Sequence, residues 1–313
     1  MQLDALASFS VRGAMPHTHN PLYPMLHKVR LSDGRILNVA EYGDGLGEPM
    51  LFLHGTPGSH LLAGLIAEEA RANGFRVFAP DRPGLGESSP HLERTYGTFA
   101  QDLAEMLDHF NLPKAHLVGI SGGGPYALAA AARIPERLKT LVLLSPWWFP
   151  YGHKKATDGL NPLFKLYAWL VRSAFRFTRP MSRLAAKLAS SMPEKLIEQM
   201  IQHAPVDDQM LLASPAVQLQ IEADITMSFR QGWEGQWREA VLCFEKPDID
   251  VASITLPVTI FHGAEDNVVP LHYAEKLAAQ LPNATLKIDP AGGHFVALRL
   301  QDEVFSLLNQ GRG

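Results

Sequence analysis

Short, continuously apolar runs alternate with stretches of helical spacing along most of this chain. His27–Leu31 and Arg35–Tyr42 flank Asp33-Gly34, a hairpin turn pair, and read as two strands. Met50–Leu53 reads as a buried strand entering the loop His54-Gly55-Thr56-Pro57-Gly58, with a helical stretch to about Ala72, where Asn73-Gly74 stops it. Arg76–Ala79 and Ala115–Ile120 read as strands around a helix over Phe99–Phe110. An Ala-rich helix over Gly122–Arg133 then precedes the strand Leu138–Leu144. Strands that are apolar throughout need cover on both faces, so the alternation predicts a parallel sheet between two helical layers.

The rhythm breaks near Trp147. From there to about Phe244 the pattern is helical without clear strands. It resumes with the strand Val258–Phe261, a helix over Leu271–Gln280, the strand Thr285–Ile288 and a last helix after His294. The expected organisation is an N-terminal extension over 1–26, a core formed by 27–147 and 245–313, and an all-helical insertion over 148–244.

Composition excludes more than it selects. Hydrophobic residues at 46% and charged residues at 19% suit a folded globular protein, and the chain can bury a substantial core. A formal charge of −4 is too mild for a nucleic-acid partner. The single cysteine, Cys243, allows no internal disulfide and fits the cytoplasm. The first residues lack a basic segment followed by an apolar run, so no secretory signal is read there. The most apolar region, Leu160–Phe177, is interrupted by Lys165, Arg172 and Arg176, which argues against membrane insertion.

The candidate chemistry centres on Gly119-Ile120-Ser121-Gly122-Gly123, a G-x-S-x-G pattern between a predicted strand and a predicted helix. A serine at such an apex adopts strained backbone angles and needs small neighbours two residues away, which Gly119 and Gly123 supply. The helix start offers free N–H groups to a developing oxyanion. The bland alternative is a glycine-rich turn with an incidental serine. A weak nucleophile needs a base and an orienting acid. His294 follows the last predicted strand and Asp266 the one before it. A parallel sheet brings such strand ends to one edge, and Glu265 is the rival acid. His54 and His262 read as structural, holding loop carbonyls. Asp248 and Asp250 precede their strand and read as loop or helix-end residues. Of the first loop, Pro57 has no N–H, so Thr56 is the expected oxyanion donor, with Gly122 as its partner.

Four pieces in this order resemble the α/β-hydrolase superfamily. They are His54-Gly55-Thr56-Pro57-Gly58, Asp81-Arg82-Pro83-Gly84-Leu85-Gly86-Glu87-Ser88, the Ser121 turn, and His262-Gly263 with Asp266, Val269-Pro270 and Gly293-His294. The similarity covers roughly residues 28–147 and 245–310, and the insertion corresponds to the superfamily's variable cap. The resemblance implies an eight-stranded, mostly parallel sheet with helices on both faces, a triad of Ser121, Asp266 and His294, and oxyanion donors at Thr56 and Gly122. Serine at 121 disfavours the relatives that use a carboxylate nucleophile. Thr56 and Gly122 stand where proline iminopeptidases usually carry glycine and tryptophan. Carbon–carbon bond hydrolases typically show a different first loop and a methionine after the nucleophile.

The expected activity is hydrolysis of a small carboxylic ester without metal or cofactor. Two alternatives are a proline-iminopeptidase-like aminopeptidase, with Glu222 and Asp224 as candidate amine partners, and a ligand receptor with little turnover. Trp147, Trp148, Trp233 and Trp237 flank the ends of the insertion and are candidates to line an acyl pocket or to pin the insertion to the core. Between His153 and Lys187 the cations Lys154, Lys155, Lys165, Arg172, Arg176, Arg179, Arg183 and Lys187 face one acid, Asp158. They are interleaved with Leu163, Phe164, Leu166, Tyr167, Trp169, Leu170, Phe175 and Phe177. The favoured reading is a lid with its apolar side on the core and its basic side in water; the alternative is peripheral contact with an anionic membrane. Oligomeric state leaves no trace in the sequence.

Overall fold

The computed structural model describes residues 24–312. The expected extension therefore lies almost wholly outside the described residues, and the first strand starts two residues before His27. Eight strands form one sheet: β1 (Met25–Arg30), β2 (Ile36–Gly43), β3 (Glu48–Leu53), β4 (Phe75–Pro80), β5 (Ala115–Ile120), β6 (Leu138–Leu144), β7 (Val258–Gly263) and β8 (Ala284–Asp289). Their spatial order is β1-β2-β4-β3-β5-β6-β7-β8. β2 is antiparallel to β1 and to β4, and the remaining neighbours are parallel. This is the mostly parallel sheet that the apolar runs imply.

Helices cover both faces. α1 (Ala67–Ala72) and α12 (Gln301–Gln310) bury Ala67, Ala70, Val304, Phe305 and Leu308 on one face, against Met50, Phe52, Phe75 and Val77. α2 (Tyr96–His109), α3 (Gly124–Arg133) and α10 (Leu271–Ala278) pack on the other, against Leu51, Leu53, Leu117 and Leu143. The alternation of Met50 and Phe52 with Leu51 and Leu53 is the two-residue period of a strand buried on both sides. Thr95 caps α2 in a reciprocal box with Thr98. Asp248, read as a loop residue, also accepts from the Thr95 hydroxyl at 2.8 Å.

Some helices are shorter than expected. The stretch after Gly58 is a 3₁₀ turn, His60–Ile66, before α1 begins, and its start is held by side chains: His60 N–H donates to Asp81 at 2.8 Å. The last expected helix is two pieces, α11 (Val296–Arg299) and α12.

Between β6 and β7 the structure has no strand. Residues 146–161 are irregular, and then come α4 (Pro162–Ser173), α5 (Thr178–Ser191), α6 (Pro193–His203), α7 (Val206–Leu212), α8 (Pro215–Ser228) and α9 (Glu234–Leu242). The expectation that the apolar residues of 153–187 turn to the core holds for Tyr167, Leu170 and the half-buried Phe164. It fails for Leu163, Leu166, Trp169, Phe175 and Phe177, which are exposed. The cause is angular: Leu163, Leu166 and Trp169 advance by three residues and drift round the helix, away from the buried row of Phe164, Tyr167, Ala168 and Val171. Among the described residues no helix is long and apolar enough to cross a membrane.

Candidate active site

β5 ends at Ile120, and at Ser121 the chain makes a 3₁₀ turn, Ser121–Gly123, and enters α3. Ser121 has φ 50°, in the left-handed region that non-glycine residues rarely occupy, at a strain of about 1–3 kcal/mol. The surroundings hold it there: its carbonyl accepts from the Trp147 N–H at 2.8 Å and from the Gly124 N–H. A Cβ on Gly119 would lie 2.8 Å from the Ala127 Cβ, and one on Gly123 would overlap the Leu53 carbonyl oxygen. Glycine at both positions thus lets β3, β5 and α3 converge under the serine.

Asp266 follows β7 and His294 follows β8, so both loops leave the sheet at the edge where β5 ends. His294 Nε2 lies 3.1 Å from Ser121 Oγ, and Nδ1 lies 2.8 Å from Asp266 Oδ2. The other Asp266 oxygen accepts the N–H groups of Val268 and Val269 at 2.9 and 2.8 Å. Glu265 is exposed and turned to solvent. With Nδ1–H donated to the carboxylate, Nε2 has a lone pair free for the serine proton.

Electrostatics match that arrangement. Burial opposes charge on His294, but the Asp266 carboxylate, its hydrogen bond and the charge of Asp208 outweigh it and raise the imidazole above its ordinary value. Burial would raise Asp266; the charge and hydrogen bond of His294, helped by His262 and the Val269 N–H, overcome this and hold the carboxyl below its ordinary range. His54 is pushed down to about 3 by burial and the nearby Arg82. Its Nδ1 pairs with the Gly55 carbonyl at 2.9 Å, while His262 Nε2 pairs with that of Val269 at 2.9 Å.

The loop after β3 lies against the serine turn. A Cβ on Gly55 would be 3.4 Å from the Ser121 Cβ, and one on Gly122 would be 3.2 Å from Thr56 N. Among the described residues no acceptor pairs with the Thr56 N–H, and the Gly122 N–H heads a helix where no preceding turn can take it. Two uncommitted donors therefore sit side by side next to Ser121.

Three buried carboxylates from the helical segment, which sequence reasoning missed or read otherwise, hold these loops. Glu239 on α9 accepts from Arg82 Nε at 3.0 Å, Arg94 Nη2 at 2.6 Å, Tyr126 Oη at 2.8 Å and Thr56 Oγ1 at 3.2 Å. Arg82 also donates to the carbonyls of His54 and Gly55 at 2.5 and 2.7 Å, so it ties the first loop to α9. Burial works against Glu239, yet the two arginines bring it down to about 2. Asp208 on α7 accepts from the N–H groups of Gly293 and Phe295, at 3.1 and 3.0 Å, on either side of His294. Asp224 on α8 accepts from both the N–H and the hydroxyl of Ser59 at 2.7 Å, and burial pushes its carboxyl up to about 7. Of the three carboxylates, the sequence singled out only Asp224, and as an amine partner; Glu239 and Asp208 left no trace beyond the Arg82 motif that Glu239 meets.

The remaining candidates occupy packing positions. Trp147 stands in an aromatic cluster with Phe164, Phe244 and Tyr273, its Nε1 donating to the Cys243 carbonyl at 2.8 Å. Trp148 packs in the core and borders a cavity of ≈ 350 Å³ with Ile249 and Gln280, a cavity lined by none of Ser121, Asp266 or His294. Trp237 Nε1 donates to Thr178 Oγ1 at 2.9 Å, and Arg179 lies over the rings of both Trp233 and Trp237. Glu222 lines a separate hollow with Leu219 and Arg230. Among the described residues no three His, Cys, Asp or Glu side chains converge as a metal-binding set.

The family profile described as alpha/beta hydrolase fold matches residues 48–299. Among curated proteins the chain is 29% identical, over 72% of its own length and 76% of the other, to a provisionally named carbamate hydrolase, RutD, of Caulobacter sp. (strain K31). It is 24% identical to a 2-hydroxymuconate semialdehyde hydrolase of Pseudomonas putida, over 88% of this chain and 90% of that one. Among solved structures, an esterase from Exiguobacterium antarcticum superposes with a TM-score of 0.68 at 20% identity, covering 92% of this chain and 100% of that one.

Proposed function

The chain belongs to the α/β-hydrolase fold family, and from that premise we propose that it is a serine hydrolase cleaving small carboxylic esters through an acyl-enzyme. The observation that carries this reading is the continuous line from Ser121 Oγ through His294 to Asp266, at 3.1 and 2.8 Å, with the serine held at φ 50°. Ser121 Oγ attacks the ester carbonyl as its proton passes to His294 Nε2. The tetrahedral oxyanion is stabilised by the N–H groups of Thr56 and Gly122. The C–O bond then breaks, and the alcohol leaves with the proton from His294. Water, deprotonated by His294, attacks the acyl carbonyl and releases the acid and the free serine. Asp266, held below its ordinary range by His294, stays ionised and accepts Nδ1–H across 2.8 Å.

We read residues 148–244 as a cap whose three buried carboxylates brace the catalytic loops. The aminopeptidase alternative needs a carboxylate free to meet a substrate ammonium. Asp224 is committed to Ser59, and burial pushes its carboxyl up to about 7, which disfavours the ionised form and counts against it. A carbamate, the substrate class in the name of the RutD relative, would use the same steps with a different leaving group. With one cysteine and no possible internal disulfide, the protein suits a reducing compartment such as the cytoplasm.

Purified protein offered p-nitrophenyl esters beside aminoacyl anilides separates these readings. We expect turnover of short esters, and labelling by a fluorophosphonate probe that Ser121→Ala abolishes. Absence of both turnover and labelling overturns the hydrolase reading; turnover confined to anilides transfers it to the aminopeptidase.

A further inference from the structure

The helical segment opens with a surface that is apolar and basic at once. Between Asp158 and Glu194 the chain has no acidic residue, and Lys165, Arg172, Arg176, Arg179, Arg183 and Lys187 supply six positive charges. The same elements expose large apolar side chains: Leu163 is 58% exposed, Trp169 56%, Leu184 61% and Leu188 52%. Phe175 and Phe177, in the short turn joining α4 to α5, are exposed as well. Side chains of this size left in water in such number mark a surface that something else covers.

The arrangement has an order. On α5, Leu184 and Leu188 are one turn apart, and Arg179, Arg183 and Lys187 form a second row one turn apart. Leu184 follows Arg183 directly, so the two rows run side by side, about 100° apart round the helix. On α4, Leu163, Leu166 and Trp169 climb the exposed arc that also carries Lys165 and Arg172. The two helices touch each other and both touch the 175–177 turn.

We infer that this face docks on an anionic lipid bilayer, with Leu163, Trp169, Leu184 and Leu188 entering the headgroup boundary and the surrounding cations meeting lipid phosphates and carboxylates. Charge decides between possible covers. A second copy packing through a two-fold axis would set the same six cations against each other, with no acid in the stretch to relieve them. An anionic bilayer offers phosphates and carboxylates to exposed cations such as Lys165, Arg172 and Arg183 and accepts the aromatic and aliphatic groups between them. The protein as a whole carries −4 while this stretch carries only positive charge, so the remainder is net acidic and an anionic surface favours this face turned toward it. The inference goes beyond the hydrolase reading and does not depend on it.

The test is co-sedimentation of the Ser121→Ala protein, which removes turnover, with phosphatidylcholine vesicles with or without about one-third phosphatidylserine. We expect partition onto the anionic vesicles alone, released as salt shortens the Debye length to about 3 Å near 1 M. Arg183→Gln should weaken partition about fivefold, and Leu184→Ser with Leu188→Ser at least about tenfold, with thermal melts unchanged. Failure to bind anionic vesicles, or equal partition onto neutral ones, overturns the inference. So does a dimer by light scattering that the Leu184→Ser, Leu188→Ser protein loses, since the face would then join two copies. Ester turnover by the unmutated protein is read in solution, so a failed vesicle assay leaves the hydrolase reading standing.

Discussion

Replacing Asp208 by asparagine keeps the side chain's shape and removes its charge and one acceptor. In the native protein its carboxylate takes the N–H groups of Gly293 and Phe295, and His294 lies between them. An amide can accept only one of the two, and its NH₂ faces the other. One hydrogen bond to a charged acceptor is lost and a buried N–H is left without a partner, at a cost of about 1.5–3 kcal/mol. Chemical denaturation should show that loss. Looser flanks also relax the 3.1 Å contact between His294 and Ser121, and a misalignment worth about 1.4 kcal/mol lowers kcat/KM about tenfold.

The pH dependence carries a separate signature. In the proposed mechanism His294 is a base only when deprotonated, so activity should rise with pH through its pKa. That pKa is raised by Asp266 and further by the charge of Asp208. Removing the Asp208 charge lowers it, and the acid limb of kcat/KM moves to lower pH. Asp207→Asn makes the same change one residue earlier, where the carboxylate is partly exposed and paired with Arg299, and serves as the control. Unchanged stability together with an acid limb that stays in place, or that shifts equally in the control, refutes the role assigned to Asp208.

Glu239→Gln leaves Arg82 and Arg94 buried without a counter-charge and should cost about 3–5 kcal/mol by denaturant titration, with ester turnover reduced through the loop that Arg82 holds. Asp224 titrates near 7 when folded against 3.8 for the free side chain. The unfolded chain therefore releases this proton first, and the folded state loses stability as pH rises from about 4 to 7, by on the order of 4 kcal/mol in all. Asp224→Asn should remove that contribution, so the stability of the variant relative to wild type must climb across the same window; a flat difference would contradict the assignment. Gly123→Ala drives a methyl into the Leu53 carbonyl, and we expect a loss of about 1–3 kcal/mol in thermal or denaturant melts with poorer fluorophosphonate labelling.

The alternation of apolar runs and helical spacing determined the mostly parallel sheet, because a strand buried on both faces has a local signature that survives without its neighbours. Ser121 was legible for the same reason. A strand, a tight turn and a helix are close in sequence, and their steric demands fall on Gly119 and Gly123 within the same few residues. Asp266 and His294 followed from topology, since strands running one way bring their carboxyl ends to one edge.

Only the tertiary structure decided what surrounds that line of residues. Glu239 meets Arg82 across 157 positions, Asp208 meets Gly293 across 85, and Asp224 meets Ser59 across 165. The same holds for Leu163, Leu166 and Trp169, which share a helix with Tyr167 and Leu170 yet remain in solvent. In the sequence a carboxylate that will be buried against a distant arginine looks like one that will sit in water, and a leucine bound for the core looks like one bound for the surface. Each depends on the partner that replaces water around it, and that partner is set by how the helices between β6 and β7 pack, not by residues nearby in the chain.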